Sequence, residues 1–371
     1  PIKQPYTYEG LLRMYLEHDI SAEEFIAQRG QLETQNTDWF KLLTRRSFSH
    51  NHNLSISGGT NKFSYSTSVG YTKSDGQEIG NSSERMTGRI ALTMRPVQKL
   101  TINAALNGSV STNKGFAGGV APMDYATTTN RIINPDVFYQ KTATYDYNDN
   151  VQSLGYNFIN ERNNSSASSS STHLSASLDL KWDILDWLSY QFTGGYSNTS
   201  SNSESYMTEQ TYYIAQKYRG YDYNSVTPGS AEFKAAVLPF GGELYNNDGR
   251  QSSYNIQNKI LISKAFDQNN RLNALIGMEL RSSTNKSLGH TMWGYAPDRG
   301  EVILRPTTLS DFQPITGSGQ SGWGILEELY SGHWSKTNVT DNYLSFFATF
   351  AYSFMNRYVV NANVRNDASN R

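Results

Sequence analysis

The stretch K-F-S-Y-S-T-S-V-G-Y-T-K, Lys62–Lys73, decides the fold. Phe63, Tyr65, Val69 and Tyr71 occupy alternate positions, with Ser64, Ser66, Ser68 and Gly70 between them. Side chains on a strand alternate faces with period two, so this reads as a β-strand with one greasy side and one small, polar side. One strand does not say whether the greasy side meets a protein core or lipid. Its neighbours do.

The pattern returns along the chain. Met86, Ile90, Leu92 and Met94 share a face, as do Leu174, Ala176, Leu178, Leu180 and Trp182. Leu272, Ala274, Ile276, Met278 and Leu280 repeat it, and so do Leu344, Phe346, Ala348, Phe350 and Tyr352, with mainly polar or small residues between. Roughly ten strands result, many of about 12 residues, long against the usual mode of about 5 to 6.

The connections sort by length. Gly59–Asn61, Pro96–Lys99, Ile184–Trp187, Asp267–Asn270 and Phe354–Asn356 are tight, whereas Ser74–Ser83 is longer and the stretches near 113–171, 202–251 and 286–341 are very long. Tight and long alternate, so every tight turn falls at one end of the sheet. An up-and-down antiparallel barrel with short periplasmic turns and long extracellular loops has this arrangement. A soluble β-sandwich need not sort its loops, and structureless loops beyond about 15 residues are uncommon in compact domains. The fold class expected is therefore an all-β transmembrane barrel. Phe63, Tyr65, Val69, Tyr71, Leu92, Leu178, Ile276 and Phe350 are expected to face lipid, and the serines between them a lumen.

Composition agrees. Only 37% of the 371 residues are hydrophobic and 18% are charged, which leaves little Leu, Ile and Val for several soluble cores. The formal charge is −1 with signs mixed along the chain, so no basic patch argues for nucleic acid. The absence of cysteine removes disulfides, thiolate zinc sites and cysteine nucleophiles. No apolar run approaches the roughly 18 residues of a transmembrane helix, which leaves a strand barrel open. The chain starts at Pro1 with no signal-peptide pattern and is expected to be a piece of a longer protein.

Residues 1–46 read differently. Ser21-Ala-Glu-Glu24 matches a capping box ahead of Phe25 and Ile26, and Thr37-Asp38 can cap a turn carrying Trp39, Phe40 and Leu43. Two short helices in an extracellular loop region are expected there, ahead of barrel strands in 47–371. Asn163–Thr172, N-N-S-S-A-S-S-S-S-T, is of low complexity and reads as a mobile loop.

The chemical motifs are weak. Gly317-Ser-Gly319-Gln-Ser-Gly322 is a literal G-x-G-x-x-G, but no strand precedes it and no βαβ unit surrounds it, so it reads as a Gly/Ser loop. His50-x-His52 puts two imidazoles on one face without a third ligand, and no metal site is expected. Asp146-x-Asn148-x-Asn150 starts like a calcium loop yet lacks the glycine and glutamate that would complete it. No nucleophile elbow or carboxylate pair appears, so neither an enzyme nor a cofactor is expected. The loop aromatics Tyr221, Tyr223, Trp293, Tyr295, Trp323 and Trp334 are the candidates for ligand or partner contact. The same ring at a loop base often only packs the loop.

Several segments resemble one family, the SusC/RagA-like TonB-dependent outer-membrane transporters of the Bacteroidetes. Thr37-Asp38-Trp39 with His52-Asn-Leu-Ser-Ile-Ser-Gly-Gly59 resembles that family's entry into the barrel. Ser68-Val-Gly-Tyr71 with Gly76, then Arg85-Met-Thr-Gly-Arg-Ile-Ala-Leu92, resembles its next two strands. Tyr352–Tyr358 and Val364-Arg-Asn-Asp-Ala-Ser-Asn-Arg371 resemble a later pair, although Ala368 and Asn370 stand where the family usually has Gly and Ser. The resemblance implies part of a twenty-two-stranded barrel whose plug domain and remaining strands lie outside this chain. It also implies a SusD-like surface lipoprotein as lid, the TonB-ExbB-ExbD system acting through the plug, and import of an oligosaccharide or peptide across the outer membrane. Nothing would be chemically transformed. The alternatives are a passive structural or adhesive outer-membrane barrel and a soluble all-β binding module.

Overall fold

The structure, a computed structural model, describes residues 2–144, 151–304 and 333–370. Three helices come first, α1 (Tyr8–Leu16), α2 (Ala22–Thr34) and α3 (Trp39–Leu43). Ser21 caps α2 in a full capping box with Glu24, and the Asp38 side chain caps α3 by accepting the Lys41 amide. The sequence pattern marked those two starts but not α1, which Thr7 caps through the Gly10 amide.

The chain then enters strands β1 (Phe48–Gly59), β2 (Phe63–Asp75), β3 (Ser82–Val97) and β4 (Leu100–Gly115). Helix α4 (Pro122–Thr128), a two-stranded ribbon of β5 (Tyr139–Thr144) and β6 (Val151–Tyr156), and helix α5 (Phe158–Asn163) follow. Next come β7 (Ser165–Leu185), β8 (Leu188–Met207), the single turn α6 (Tyr212–Ile214) running into a π-turn over Ala215–Arg219, and α7 (Ala231–Ala235). The rest is β9 (Gly242–Ala265), β10 (Arg271–Ala296), a 3-10 turn over Pro297–Arg299, β11 (Val302–Ile303), β12 (His333–Phe354) and β13 (Tyr358–Ser369).

Ten strands pair antiparallel in the order β1-β2-β3-β4-β7-β8-β9-β10-β12-β13, with β11 hanging on β10. Each strand lies beside its sequence neighbour in the sheet, as an up-and-down wall requires. The register carries the greasy set from strand to strand. Tyr65 stands opposite Leu92, Leu92 opposite Ala104, and Ala104 opposite Leu178. From there the row passes through Gly194, Ile256 and Leu280, while on the same face Ala274 stands opposite Phe350. All eight residues expected to face lipid therefore share one face of one sheet. A one-residue slip anywhere would turn that strand's set over, so the pattern itself pins the register.

No described layer covers that face. Val69 is 55% exposed and Ile276 56%, which a soluble core would not leave open. The buried clusters lie instead among the loops.

Two expectations are corrected. Asn163–Thr172 is not a loop, because Ser165–Thr172 is the upper part of β7, paired with β8 throughout and with β4 from Ala167 on. Ladder bonds use backbone groups alone, so a serine run extends when both neighbours reach as far. For the same reason β8, β9, β10 and β12 run into the stretches 202–251 and 286–341, which were expected as loops. The Gly317 motif, the Asp146 segment and Trp323 lie outside the described residues.

Candidate functional site

The two faces of the wall have different chemistry. Opposite the greasy face stand Ser64, Ser66, Thr93, Asn103, Ser177, Thr193 and their like, and in the last three strands a charged group. Glu279 lies 3.5 Å from both Arg281 and Arg365. Arg365 also pairs with Asp367 at 2.9 Å and donates to Ser345 Oγ at 3.1 Å. Phe347 lies across Gly277, where an added Cβ would sit 2.3 Å from the ring.

At the long-loop end the connections pack into a cap. In its first part Trp39 and Leu43 of α3 join Ala126, Ile133 and Phe158, so the N-terminal segment is clamped onto the loop between β4 and β7. Trp39 meets Tyr125 edge-on at 5.0 Å between ring centres, and Tyr125 stacks on Phe158 at 4.0 Å. Thr37 Oγ1 donates to the Ile133 carbonyl at 2.8 Å. In the second part Met207, Ile214, Tyr218, Leu238 and Trp293 cluster under the loop between β8 and β9, and a third patch of Leu154, Tyr212 and Ala215 joins the two.

Three carboxylates staple these parts. Glu161, 4% exposed, accepts the amides of Tyr212 at 2.7 Å and Tyr213 at 3.2 Å, tying α5 to α6. Burial raises its carboxyl above the ordinary range, and those hydrogen bonds pull the other way. Glu209, 6% exposed, accepts the Gly241 amide at 2.6 Å and pairs with Arg299 at 2.5 Å, closing one loop and tying it to the next. Glu243 on β9 pairs with Lys217 at 2.9 Å and accepts from the hydroxyls of Tyr213 and Tyr218. The Trp293 indole in turn donates to Tyr218 at 3.0 Å.

The aromatics singled out in the sequence divide accordingly. Trp293, Tyr295 and Tyr221 are buried, and burial pushes the phenols of Tyr221 and Tyr295 up to about 12. Tyr223 is half-buried, reaches Glu209 at 3.4 Å and shares the guanidinium of Arg219 with Tyr221. Trp334 is apart from them, exposed on the greasy face of the sheet opposite His290. Sequence reasoning passed over the three glutamates, Lys217, Tyr218 and Arg299, for they lie far apart in sequence and no spacing links them. The ring centres of His50 and His52 lie 5.1 Å apart, and no group of three metal-ligating side chains exists among the described residues.

No protein-family model and no curated protein matches this sequence. Among solved structures the chain is similar to the RagAB peptide transporter, with a TM-score of 0.59 and 20% identity, over 90% of this chain and 33% of that one. It is also similar to the RagAB peptide importer in its closed-closed state, with a TM-score of 0.61 and 19% identity over 91% and 33%. For the open-open state the TM-score is 0.60 and the identity 20%, over the same shares. The chain thus spans about a third of the length of the structures it matches. At this identity the likeness concerns fold alone: the antiparallel sheet of this chain is built like part of the RagAB transporter chain it matches.

Proposed function

We propose that the chain forms part of an active importer in a Gram-negative outer membrane, taking up an oligosaccharide or peptide. The observation that carries this is the division of one continuous sheet into a greasy face and a hydrogen-bonding face, with a packed cap at one end only. Lipid meets the first face, at Phe63, Tyr65, Val69, Tyr71, Leu92, Leu178, Ile276 and Phe350. The second lines the path. Its side chains are mainly Ser, Thr and Asn, with Arg89, Asp179 and Lys259 among them, and suit a solute rich in hydroxyls or amides. The cap is extracellular and receives a SusD-like lipoprotein lid. Tyr221, Trp293 and Tyr295 serve it by holding the shape of the loop that presents Tyr223. Energy comes from TonB-ExbB-ExbD acting through a plug.

The test is uptake by cells carrying or lacking the full-length gene, using a labelled peptide digest and a labelled oligosaccharide mixture. Gene-dependent accumulation that stops when a protonophore collapses the inner-membrane gradient is expected. Accumulation indifferent to the protonophore would make this a passive barrel.

A further inference from the structure

Above the greasy band, on the same face, three cations crowd together. Arg250 of β9 stands directly opposite Lys286 of β10, and Lys336 of β12 is diagonal to Lys286, one pleat beyond its partner Asn338. Like charges directly opposite in a sheet repel, and an isolated pair is destabilising. None of the three makes an ion pair with a described residue, and the one nearby carboxylate, Asp248, is held by Asn202 at 2.8 Å. Ser200, Asp248, Arg250, Lys286, Lys336 and Asn338 line a cleft of about 440 Å³. It holds three positive charges and one negative.

Its height narrows the occupant. Arg250 is four residues beyond Tyr254, Lys286 six beyond Leu280 and Lys336 eight beyond Leu344, each toward the long-loop end. At about 3.3 Å per residue and a tilt of about 40°, the cluster sits roughly 10–20 Å past the edge of the continuous greasy band, with Leu288 and Trp334 as exposed apolar side chains beyond it on the same face. That is the depth of lipid headgroups rather than of acyl chains or of the cap. We propose that Arg250, Lys286 and Lys336 bind a phosphate on the sugar headgroup of an outer-leaflet glycolipid. A guanidinium can take a phosphate in two parallel hydrogen bonds, while the two ammoniums add point charges. Ser200 and Asn338, at the ends of the same row, offer uncharged hydrogen bonds beside it. This site rests on the barrel fold and the facing of its wall, and is independent of what the barrel transports.

The experiment titrates full-length protein in detergent with bisphosphorylated lipid A, with its dephosphorylated form and with inorganic phosphate, reading bound lipid by native mass spectrometry. The phosphorylated lipid should bind at least tenfold more tightly than the dephosphorylated one. Combined Arg250→Ser, Lys286→Ser and Lys336→Ser should remove that preference, whereas Arg250→Lys should keep most of it. Should the triple variant fail to fold, Ser200→Asp with Asn338→Asp supplies the missing negative charge beside the cations and should abolish the preference equally. A folded triple or aspartate variant that still prefers the phosphorylated lipid overturns the site. Inorganic phosphate that displaces the lipid at equal concentration overturns the lipid as occupant.

Discussion

The wall and the cap are held by opposite means. In the wall, neighbours in sequence are neighbours in space, every long strand repeats the same two-sided pattern, and nothing described covers either face. In the cap, residues far apart in sequence meet, as Thr37 meets Ile133 96 positions on and Trp39 joins Phe158, and small closed cores form. The wall's apolar face has no cover among the described residues; the cap makes its own. A disturbance in one should therefore be felt differently from a disturbance in the other.

The largest expected effect lies in the cap. Leu238 is fully buried beside Ile214 and Trp293, so Leu238→Ala should cost about 2–5 kcal/mol in local stability. Hydrogen exchange should accelerate through residues 208–241 and leave β1–β4 unchanged. Acceleration spread over the strands as well would mean that wall and cap are one cooperative unit.

In the wall the contrast is between adjacent residues. Leu178 is central in the greasy set of β7 and Ser177 points to the other face. Leu178→Arg should cost about 2–4 kcal/mol when the full-length protein refolds into vesicles, because a charge at the bilayer midplane must be desolvated. Ser177→Arg should be mild. Equal effects in urea titrations would overturn the facing of the entire sheet, since the register ties every strand to this one.

A smaller effect is expected at the joint between two loops. Glu209→Ala strands the Gly241 amide and frees Arg299, at a cost of about 1–3 kcal/mol, because a buried donor loses its acceptor. A double-mutant cycle with Arg299→Met should show coupling. Strict additivity would reduce the pair to a surface contact, as Arg299 is itself 45% exposed.

The same division decides what was legible in the sequence. Alternation has a period of two and the ladder needs only backbone, so the wall could be read from Phe63–Tyr71 outward, up to its sidedness and order. It failed where side-chain pattern stops carrying information. The serine run of β7 has no greasy face, yet it is strand because β4 and β8 flank it. The cap depends on contacts between distant, irregular segments, which leave no period behind. Trp293 and Tyr221 were visible as aromatics, but only the fold shows that they are buried. Glu161, Glu209 and Glu243 looked like any other acidic loop residues.

Glu161 offers the finest discrimination, because its proton reports on the cap alone. In an unfolded chain it would titrate near 4.5, the ordinary value for a glutamate, and burial raises that value in the fold. Between the two, the native form keeps a proton that the unfolded form has released. Stability therefore falls as pH rises through that window, the reverse of an ion-paired carboxylate. The tie between α5 and α6 should loosen as pH climbs from about 4.5 through the raised native value. Glu161→Gln cannot titrate and should lack this slope, while its carbonyl still accepts the Tyr212 amide. Hydrogen exchange at Tyr212, corrected for the intrinsic rate, measures the difference between the two proteins at each pH. A wild-type slope matched by the glutamine variant, or one of opposite sign, would show that another group governs the cap. In the wall, where Glu161 has no partner, exchange should show no difference between the two at any pH.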